Sequence, residues 1–323
     1  MAAPREIIRD TVTVEKFFKD HAGPLQMRLI AGAGGLGRII REPTVNRPGL
    51  ALAGFTKYFA GKRVQVMGNA EQHFLKTLEP EARLKRYRML LSHRIPCLVF
   101  GRGLKPEKEL LRIAEETNVP VFSTPLITMK FINLATLAME QMFAPRGTEM
   151  GSMVDILGIG VIIKGESGIG KSECVLALIE RGYSLVADDI TKVTLMDGQS
   201  VVGYSAEITR NHMEVRGIGI VNVAAMFGVR AIRHEKEVDL IVVLRNWVDV
   251  PDVDRLGMDE KYVEILGMPI PEITIPVRPG RDLARLIEVA AFQTKLKAGG
   301  HNPARELNER LLAKMAYESS GKV

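Results

Sequence analysis

The sequence contains little cysteine and no long apolar run. Cys97 and Cys174 are the only cysteines in 323 residues, one in an apolar strand-like run and the other in a predicted helix. We therefore expect buried free thiols, and neither a disulfide nor a cysteine metal site. No apolar stretch reaches the roughly 18 residues of a membrane-spanning helix. The N-terminal residues MAAPREIIRD carry charges where a signal peptide has its apolar region. These absences predict a cytoplasmic protein.

Concentrated charge of one sign is also missing. The formal net charge at pH 7 is +6, but both signs are mixed along the chain, and the densest basic run, LKRYR at Leu84–Arg88, is short. A nucleic-acid-binding protein usually clusters its Lys and Arg residues on one face. The charge pattern therefore indicates a solvated surface that tolerates phosphate, and it does not favour nucleic acid as a partner.

The chain length indicates two domains, because single cores rarely grow beyond about 250–300 residues and this chain has 323. Residues 1–144 alternate helix and strand patterns, which predicts a small N-terminal α/β domain. Its predicted elements are helices at Val14–Lys19, from Ala70 with Asn69 as cap, from Pro106 and at Phe131–Phe143, and strands at Arg63–Met67, Ile95–Phe100 and Val119–Ser123. The Pro/Gly break APRGTE is expected to link this domain to a C-terminal α/β domain, residues 145–323.

The C-terminal domain opens with VDILGIGVIIKG, Val154–Gly165, which has the apolar, β-branched composition of a buried strand. Further strand patterns include DLIVVL, and two helices close the domain. Asn302 and Pro303 provide a cap and a first-turn proline for the last helix.

Two glycine-rich stretches match phosphate-binding patterns. The first, GAGGLG at Gly32–Gly37, fits the dinucleotide pattern G-x-G-x-x-G and follows a plausible strand, RLIAG. A dinucleotide fold needs a helix of about ten residues next, but the following segment contains Pro43 and Pro48. We interpret GAGGLG as a structural turn.

The second stretch, GESGIGKS, fits G-x-x-x-x-G-K-[ST] between a strand pattern and an amphipathic helix pattern, SECVLALIERG. The predicted phosphate-binding residues are Gly165, Glu166, Ser167, Gly168, Ile169, Gly170, Lys171 and Ser172. The glycines let backbone N–H groups face phosphate oxygens at the positive end of a helix dipole. Lys171 supplies a charge and Ser172 a hydroxyl for Mg²⁺, so the stretch predicts a P-loop for nucleotide binding.

A pair of carboxylates, Asp188 and Asp189, ends the strand pattern YSLVADDI one helix after the P-loop. Adjacent strand residues point to opposite faces. We therefore expect one carboxylate to face a given target and the other to serve the metal or support the first.

These motifs resemble those of HPr kinase/phosphorylase, a bacterial family that modifies a serine of the phosphocarrier protein HPr. GESGIGKSE is similar to the family's GDSGVGKSE, ADDI to its ADDR, and MEVRGIGIVNV to its E-I-R-G-L-G-I-I-[DN] signature. Family motifs also match VNRPGLALAGFTKYF, IPCLVFGRGLKP, NWVDVPDVDRLG and IPVRPGRDL, so the resemblance covers nearly the whole chain in order.

The resemblance implies roles for single residues. Mg²⁺ would be held by Ser172 and Glu214. Asp189 would take the proton of the incoming serine hydroxyl, and would return one when phosphate attacks phosphoserine and pyrophosphate leaves. Arg255 matches the family's catalytic arginine, while Arg278 and Arg281 lie in the segment tied to dephosphorylation. ATP would be the substrate and HPr the partner. A nucleotide domain like that of phosphoenolpyruvate carboxykinase and a homohexamer are implied too.

The sequence departs from the family at Met150, where the family has histidine in H-G-V-L-V-D-I and this chain reads MGSMVDI. Methionine can neither carry a proton nor donate a hydrogen bond to a phosphate oxygen. One functional group of the expected site is therefore missing. His212, near Glu214 in sequence, could substitute for it; alternatively, Met150 fills an apolar niche in a repacked site.

The leading hypothesis is thus a protein serine kinase/phosphorylase acting on HPr. One alternative is a P-loop kinase for a small molecule, and the match of the second domain argues against it. The other is a nucleotide-sensing regulatory protein with weakened catalysis. Met150 at the position of the family's histidine favours this sensor hypothesis. The retention of Lys171, Asp189 and Arg255 argues against it.

Overall fold

The computed structural model describes residues 11–250 and 260–319, with the backbone alone for residues 316–319. The described residues up to Ala144 form one compact unit, and those from Pro145 onward form another. No helix among the described residues is long and apolar enough to span a membrane. Cys97 and Cys174 are buried free thiols as predicted, and burial raises the pKa of each to about 12.

The N-terminal unit alternates short strands with helices. In chain order these are β1 (Val12–Thr13), α1 (Val14–His21), β2 (Arg28–Ala31), β3 (Ile39–Ile40), β4 (Val45–Asn46), α2 (Gly49–Ala53), β5 (Val64–Met67), α3 (Asn69–Thr77), α4 (Pro80–Ser92), β6 (Leu98–Phe100), α5 (Lys108–Glu116), β7 (Val121–Ser123) and α6 (Thr128–Phe143).

A five-stranded sheet organises this unit. Strands β4, β5, β6 and β7 run parallel, and β2 pairs antiparallel with β7. Successive side chains of a strand point to opposite faces, so Val66 packs in one apolar core with Phe131 of α6, while Met67 packs in another with Leu90 of α4 and Leu110 of α5. The parallel sheet is therefore buried on both faces, as is typical of α/β folds.

The predicted N-terminal elements are present with shifted ends, and one predicted cap is wrong. Asn69 lies inside α3 and does not cap it. Gly68 precedes the helix instead, and its N–H donates to the Glu71 carboxylate at 2.9 Å. Helix α5 begins at Lys108 and not at Pro106. GAGGLG itself contains a single 3₁₀ turn, Ala33–Gly35, and strand β3 follows it, so the helix of a dinucleotide fold is absent there, as predicted.

The C-terminal unit contains β8 (Arg146–Met150), β9 (Ser152–Ile156), β10 (Ile159–Gly165), α7 (Lys171–Glu180), β11 (Ser184–Ala187), β12 (Ile190–Met196), β13 (Ser200–Tyr204), β14 (His212–Val215), β15 (Gly219–Asn222), α8 (Val223–Phe227), β16 (Glu235–Glu237), β17 (Leu240–Asn246), β18 (Lys261–Ile265), β19 (Met268–Val277), α9 (Leu283–Ala298) and α10 (Pro303–Ser319).

Its central six-stranded sheet has the strand order β11-β9-β10-β17-β19-β18. Helices α7 and α9 cover one face, and the apolar cluster between them and the sheet includes Val161, Val175 and Ile287. On the other face, Ile162 and Ile241 pack with Val193 of the antiparallel sheet β16-β13-β12-β8. The unit is thus a helix layer, a central sheet and a second sheet.

Two predictions for this unit need correction. The predicted single strand at Val154–Gly165 is a hairpin of β9 and β10, because Leu157 and Gly158 both have positive φ, 50° and 90°, as a two-residue hairpin turn requires. The predicted linker APRGTE is mostly strand β8, which pairs antiparallel with β12. Only Ala144 and Pro145 separate α6 from β8.

Candidate active site

The P-loop GESGIGKS connects β10 to α7 as the motif predicts. Gly168 and Gly170 have φ of 87° and 100°, which other residues rarely adopt, and Gly170 directly precedes the helix. A Cβ added at Gly165 would lie 2.9 Å from the Ile169 side chain and 3.0 Å from the Leu244 carbonyl oxygen. The glycines therefore permit both the turns and the packing that bring the loop to the N-terminus of α7, where anions bind favourably.

The ammonium group of Lys171 lies inside this loop. Its Nζ donates to the carbonyl oxygens of Gly165 at 2.9 Å and Glu166 at 3.0 Å. Ser172 follows in the first turn of α7 and is half-buried. A mobile cation and a hydroxyl are thus placed beside the backbone amides of one loop, which is the set of groups that polyphosphate recognition uses.

Arg216 also lies against the P-loop, a contact that the motifs of the sequence do not predict. Its Nη2 donates to the Ser167 hydroxyl at 2.6 Å. Arg216 directly follows β14, and Ser167 lies 49 positions earlier in the chain. Nothing in the local spacing of the sequence signals that distance, although the residue belongs to the EVRGIGI stretch.

Asp188 is fixed by two hydrogen bonds at the end of β11. Its Oδ1 accepts the Ser152 hydroxyl at 2.8 Å, and its Oδ2 accepts the Glu214 N–H at 2.9 Å. Burial raises the pKa of Asp188 above its ordinary value, and these two hydrogen bonds oppose that effect only in part. The carboxylate is therefore held in one orientation, with one lone pair of each oxygen engaged.

Asp189 is exposed and sits in a strained turn. Its φ is +55°, and the Ile190 N–H donates to the Asp188 carbonyl at 2.6 Å across it. This is the hydrogen bond of a γ-turn, which is rare with a positive central φ. The Gly151 N–H also donates to the Asp189 carbonyl at 2.8 Å. The two carboxylates thus differ: Asp188 is held by its neighbours, and Asp189 is exposed.

Glu214 connects Asp188 with the P-loop side of the site. It lies exposed on β14, with its N–H on Asp188, while Arg216 two residues later contacts Ser167. Among residues 11–250 and 260–319, no cluster of three or more His, Cys, Asp or Glu side chains could hold a metal by itself. Mg²⁺ commonly takes one or two protein oxygens together with substrate phosphates, so the hydroxyl of Ser172 and the carboxylate of Glu214 are suitable donors.

Met150 lies beside the carboxylates, on β8 directly opposite Ile190 of β12, and its side chain is 69% exposed. An apolar niche therefore does not surround it. The alternative substitute, His212, contacts the Arg210 carbonyl at 2.8 Å through Nδ1, and its Nε2 is 3.4 Å from the Asn222 amide nitrogen. These contacts hold His212 on the β14–β15 hairpin and give no support to its replacing the missing imidazole.

The predicted arginines lie in the segments after β17 and β19. The Arg278 guanidinium stacks over the Trp247 ring, 3.1 Å from its centroid, and Arg281 is 5.9 Å from the same centroid. Cation–π stacking of this kind orients a guanidinium plane. Arg255 falls outside the described residues.

Comparison with known proteins agrees with this geometry. Residues 12–139 match the family model of the HPr Serine kinase N terminus, and residues 141–311 match that of the HPr Serine kinase C-terminal domain. The chain belongs to the HPr serine kinase family. Membership confirms the fold class predicted from the sequence, a two-domain α/β chain with a C-terminal P-loop domain.

Relatives within the HPr serine kinase family match almost end to end. An HPr kinase/phosphorylase of Geobacter sulfurreducens is 40% identical over 311 residues, which cover 96% of this chain and 98% of the relative. One from Listeria monocytogenes is 41% identical over 302 residues, covering 94% and 97%. A solved structure, of the Hpr(Ser) kinase/phosphatase from Coxiella burnetii, is 34% identical, with a TM-score of 0.46 over 50% of this chain and 98% of that chain.

Proposed function

We propose that this protein transfers the γ-phosphoryl group of ATP to a serine of HPr. In reverse, inorganic phosphate attacks the phosphorus of the phosphoserine, the serine oxygen leaves, and pyrophosphate is formed. The observation that carries the proposal is the stretch from Glu214 to Arg216, whose backbone binds Asp188 at one end and whose guanidinium binds the P-loop at the other. A carboxylate pair is thereby placed next to a phosphate-binding loop.

The sheet direction supports the same arrangement. Strands β10 and β11 both pair antiparallel with β9, so they run in the same direction and end at the same edge of the sheet. The P-loop follows β10 and the carboxylates follow β11. In open α/β sheets ligands bind at this carboxyl edge.

Asp189 is the proposed proton carrier, because its carboxylate is exposed and its position is held by the turn. In the forward reaction the serine Oγ–H bond breaks, the proton moves to Asp189, Oγ bonds to the γ-phosphorus and ADP leaves. In the reverse reaction a phosphate oxygen bonds to the phosphoserine phosphorus. The serine Oγ then leaves and takes the proton from Asp189. Asp188, with each of its oxygens hydrogen-bonded, orients its neighbour.

Ser172 and Glu214 are the proposed Mg²⁺ ligands. When bound, the ion supplies charge neutralisation at the β- and γ-phosphate oxygens of the nucleotide. Lys171 and the loop amides bind the phosphates, and Arg216 extends that positive surface. We also propose that Arg255 stabilises the transferring phosphoryl group and that Arg278 and Arg281 bind inorganic phosphate during the reverse reaction, since guanidinium forks suit phosphate. Hexameric assembly and a cytoplasmic location stay predictions.

The test is transfer from γ-³²P-labelled ATP to purified HPr, with HPr lacking its serine hydroxyl as control. Asp189→Asn should lower transfer by roughly 10²-fold or more while nucleotide binding persists, because shape is kept and the proton acceptor is lost. Label on a small molecule would instead support the metabolite kinase. Nucleotide binding without transfer would support the sensor. A larger loss for Asp188→Asn than for Asp189→Asn would reverse the two carboxylate roles.

A further inference from the structure

Ser152 is completely buried at the start of β9, a strand whose other polar residue, Asp155, is ion-paired with Arg233. It opens β9 opposite Ile163 of β10, and its neighbours Met153 and Val154 belong to the apolar cores. A hydroxyl in such a place is unfavourable unless it is hydrogen-bonded. Its partners are the two carboxylate residues of the candidate active site.

The Ser152 hydroxyl uses its donor and an acceptor lone pair on adjacent residues. It donates to Asp188 Oδ1 at 2.8 Å and accepts the Asp189 N–H at 3.1 Å. One oxygen therefore fixes both the side-chain orientation of Asp188 and the backbone entering the turn at Asp189. Charged acceptors give the stronger hydrogen bonds, so the bond to Asp188 is well directed.

The turn that receives these bonds is strained. A non-glycine residue at φ +55° persists only where its surroundings determine it. The Gly151 N–H holds the Asp189 carbonyl at 2.8 Å, and the Ser152 hydroxyl holds the Asp189 N–H on the other side of the same residue. The two consecutive residues clamp Asp189 at both ends of its backbone.

We propose that Ser152 is a positioning residue for phosphoryl transfer, acting through Asp188 and Asp189. Its hydroxyl keeps the turn in the conformation that presents the Asp189 carboxylate to the reacting hydroxyl. The inference rests on the function proposed above and adds a residue to it. The stretch that departs from H-G-V-L-V-D-I at Met150 also departs at Ser152, where the motif has valine and no hydrogen-bonding group. This chain thus lacks the imidazole at position 150, and it has instead a hydroxyl at position 152 that hydrogen-bonds to both carboxylate residues.

The first experiment compares Ser152→Ala with the wild type in HPr phosphorylation and in phosphate-dependent dephosphorylation. We expect kcat to fall by about 10-fold or more in both directions, because small misplacements of a reacting group are costly. The KM for ATP should stay within about two-fold, because Ser152 makes no described contact with the P-loop. Ser152→Thr, which keeps the hydroxyl, should recover most of the lost kcat.

Thr194→Val is the matched control. Thr194 is a buried hydroxyl of the same unit, hydrogen-bonded to the Tyr204 hydroxyl at 3.3 Å and away from the turn. Its removal should leave kcat unchanged. If Ser152→Ala keeps the wild-type kcat, as Thr194→Val should, the proposal is overturned. An equal loss in both variants would show a general stability effect and would overturn it as well.

A double-mutant cycle tests the route of action even if threonine fits poorly at position 152. In an Asp188→Ala background, which removes the acceptor of the Ser152 hydroxyl, Ser152→Ala should have less effect than in the wild type, since contacting residues are not additive. Additive losses would contradict the proposal. Hydrogen exchange of the Asp189 and Ile190 amides should also accelerate in Ser152→Ala. Exchange at the wild-type rate would contradict the proposed hold of Ser152 on the Asp189 backbone, whatever the substrate is. If the wild-type protein leaves HPr unlabelled, the proposed function is rejected, but the hold of Ser152 on the turn is not.

Discussion

The two glycine-rich loops of this chain use the same residue type for different physical reasons. In GAGGLG, a Cβ added at Gly32 would lie 2.0 Å from the Val119 carbonyl oxygen, and one at Gly35 would lie 1.9 Å from that of Asn118. In GESGIGKS, among the described residues, a Cβ at Gly170 would meet only the Leu283 side chain, at 3.9 Å. The first loop needs glycine for close backbone packing. The second also packs closely at Gly165, but it needs Gly168 and Gly170 for left-handed turns and leaves open space at Gly170.

The basic residue that follows the last glycine of each stretch, Arg38 or Lys171, shows the same difference. Arg38 donates to the carbonyl oxygens of Ile95 at 2.7 Å, Thr117 at 3.1 Å and Asn118 at 2.7 Å, and so joins distant parts of the N-terminal unit. Lys171 contacts only carbonyls of its own loop among its described partners. The glycine pattern alone does not separate a cation that serves the fold from one that is available to a phosphate. The segment after the pattern does, since Pro43 and Pro48 exclude a long helix after GAGGLG.

The largest expected effect sharpens this comparison. Lys171→Ala should abolish tight Mg-ATP binding and lower transfer to HPr by about 10³-fold, because a preorganised charge at the phosphates is lost. Its folding stability should hardly change. Arg38→Ala should do the reverse, costing about 2–4 kcal/mol by leaving carbonyls unpaired while the folded enzyme keeps its turnover. Calorimetric titration measures the ATP affinity, thermal unfolding measures the folding stability, and the transfer assay measures the turnover. Unchanged turnover in Lys171→Ala would reject the P-loop assignment.

Packing in the first loop is tested by Gly35→Ala, which we expect to destabilise the N-terminal unit by about 3 kcal/mol or more. The added carbon would overlap a backbone carbonyl that cannot move as a side chain could. Gly37→Ala in the same loop is the control, because no described atom lies within 4 Å of its Cβ position. Urea unfolding of the full chain measures both. Equal stability of the two variants would mean that the close approach is not what requires glycine.

How much the sequence could predict depends on the distance between interacting residues. The P-loop and its helix were predicted from contiguous residues, since motif and periodicity are local. Ser152 and Arg216 were missed because they reach their partners across 37 and 49 positions, through strand register that no spacing rule supplies. The single predicted strand at Val154–Gly165 was wrong for a similar reason. Leu157 adopts a positive φ, which leucine rarely does, so the residue type does not predict the hairpin turn.

Two carboxylates extend the comparison from loops to charges. Burial alone would raise the pKa of Glu71, but hydrogen bonds from Arg47 and from backbone amides, with the Arg47 charge, hold it below its ordinary value. Arg47 reaches both Glu71 oxygens, at 3.0 and 2.8 Å. Asp188 has no such ion pair described, and burial raises its pKa. The ion-paired Glu71, in the first turn of α3, serves stability, whereas Asp188 accepts from uncharged donors and fits the proposed role of orienting Asp189.

Glu71→Gln tests the stabilising half of that contrast. The folded pKa of Glu71 lies below the unfolded value of about 4.3, so its contribution is present above that pH and is lost as the pH falls through the folded pKa. We expect the variant to lose about 1–2 kcal/mol at pH 6, and the difference from wild type to shrink as the pH falls toward 3. Hydrogen-exchange protection of the β5 amides, corrected for intrinsic rates, measures it. Glu42→Gln, in the exposed pair with Arg63, should change little. A constant difference at all pH values would contradict the assignment.

The smallest expected effect concerns Met150, at which the chain departs from its family. The side chain is 69% exposed and stands opposite Ile190, next to Asp189, so a histidine there would meet no packed niche. If Asp189 carries the proton, an imidazole would act as an auxiliary, and Met150→His should raise turnover by less than about 10-fold in at least one direction. The gain should vary between pH 6 and 8, where imidazole changes charge and a thioether does not.

Met150→Gln, similar in size and able to hydrogen-bond but not to titrate, is the control. A pH-dependent gain in histidine alone identifies proton transfer as the missing contribution. Equal gains in both variants would point to hydrogen bonding instead, and no gain at any pH would show that the site, with its carboxylates held by Ser152, works without the histidine.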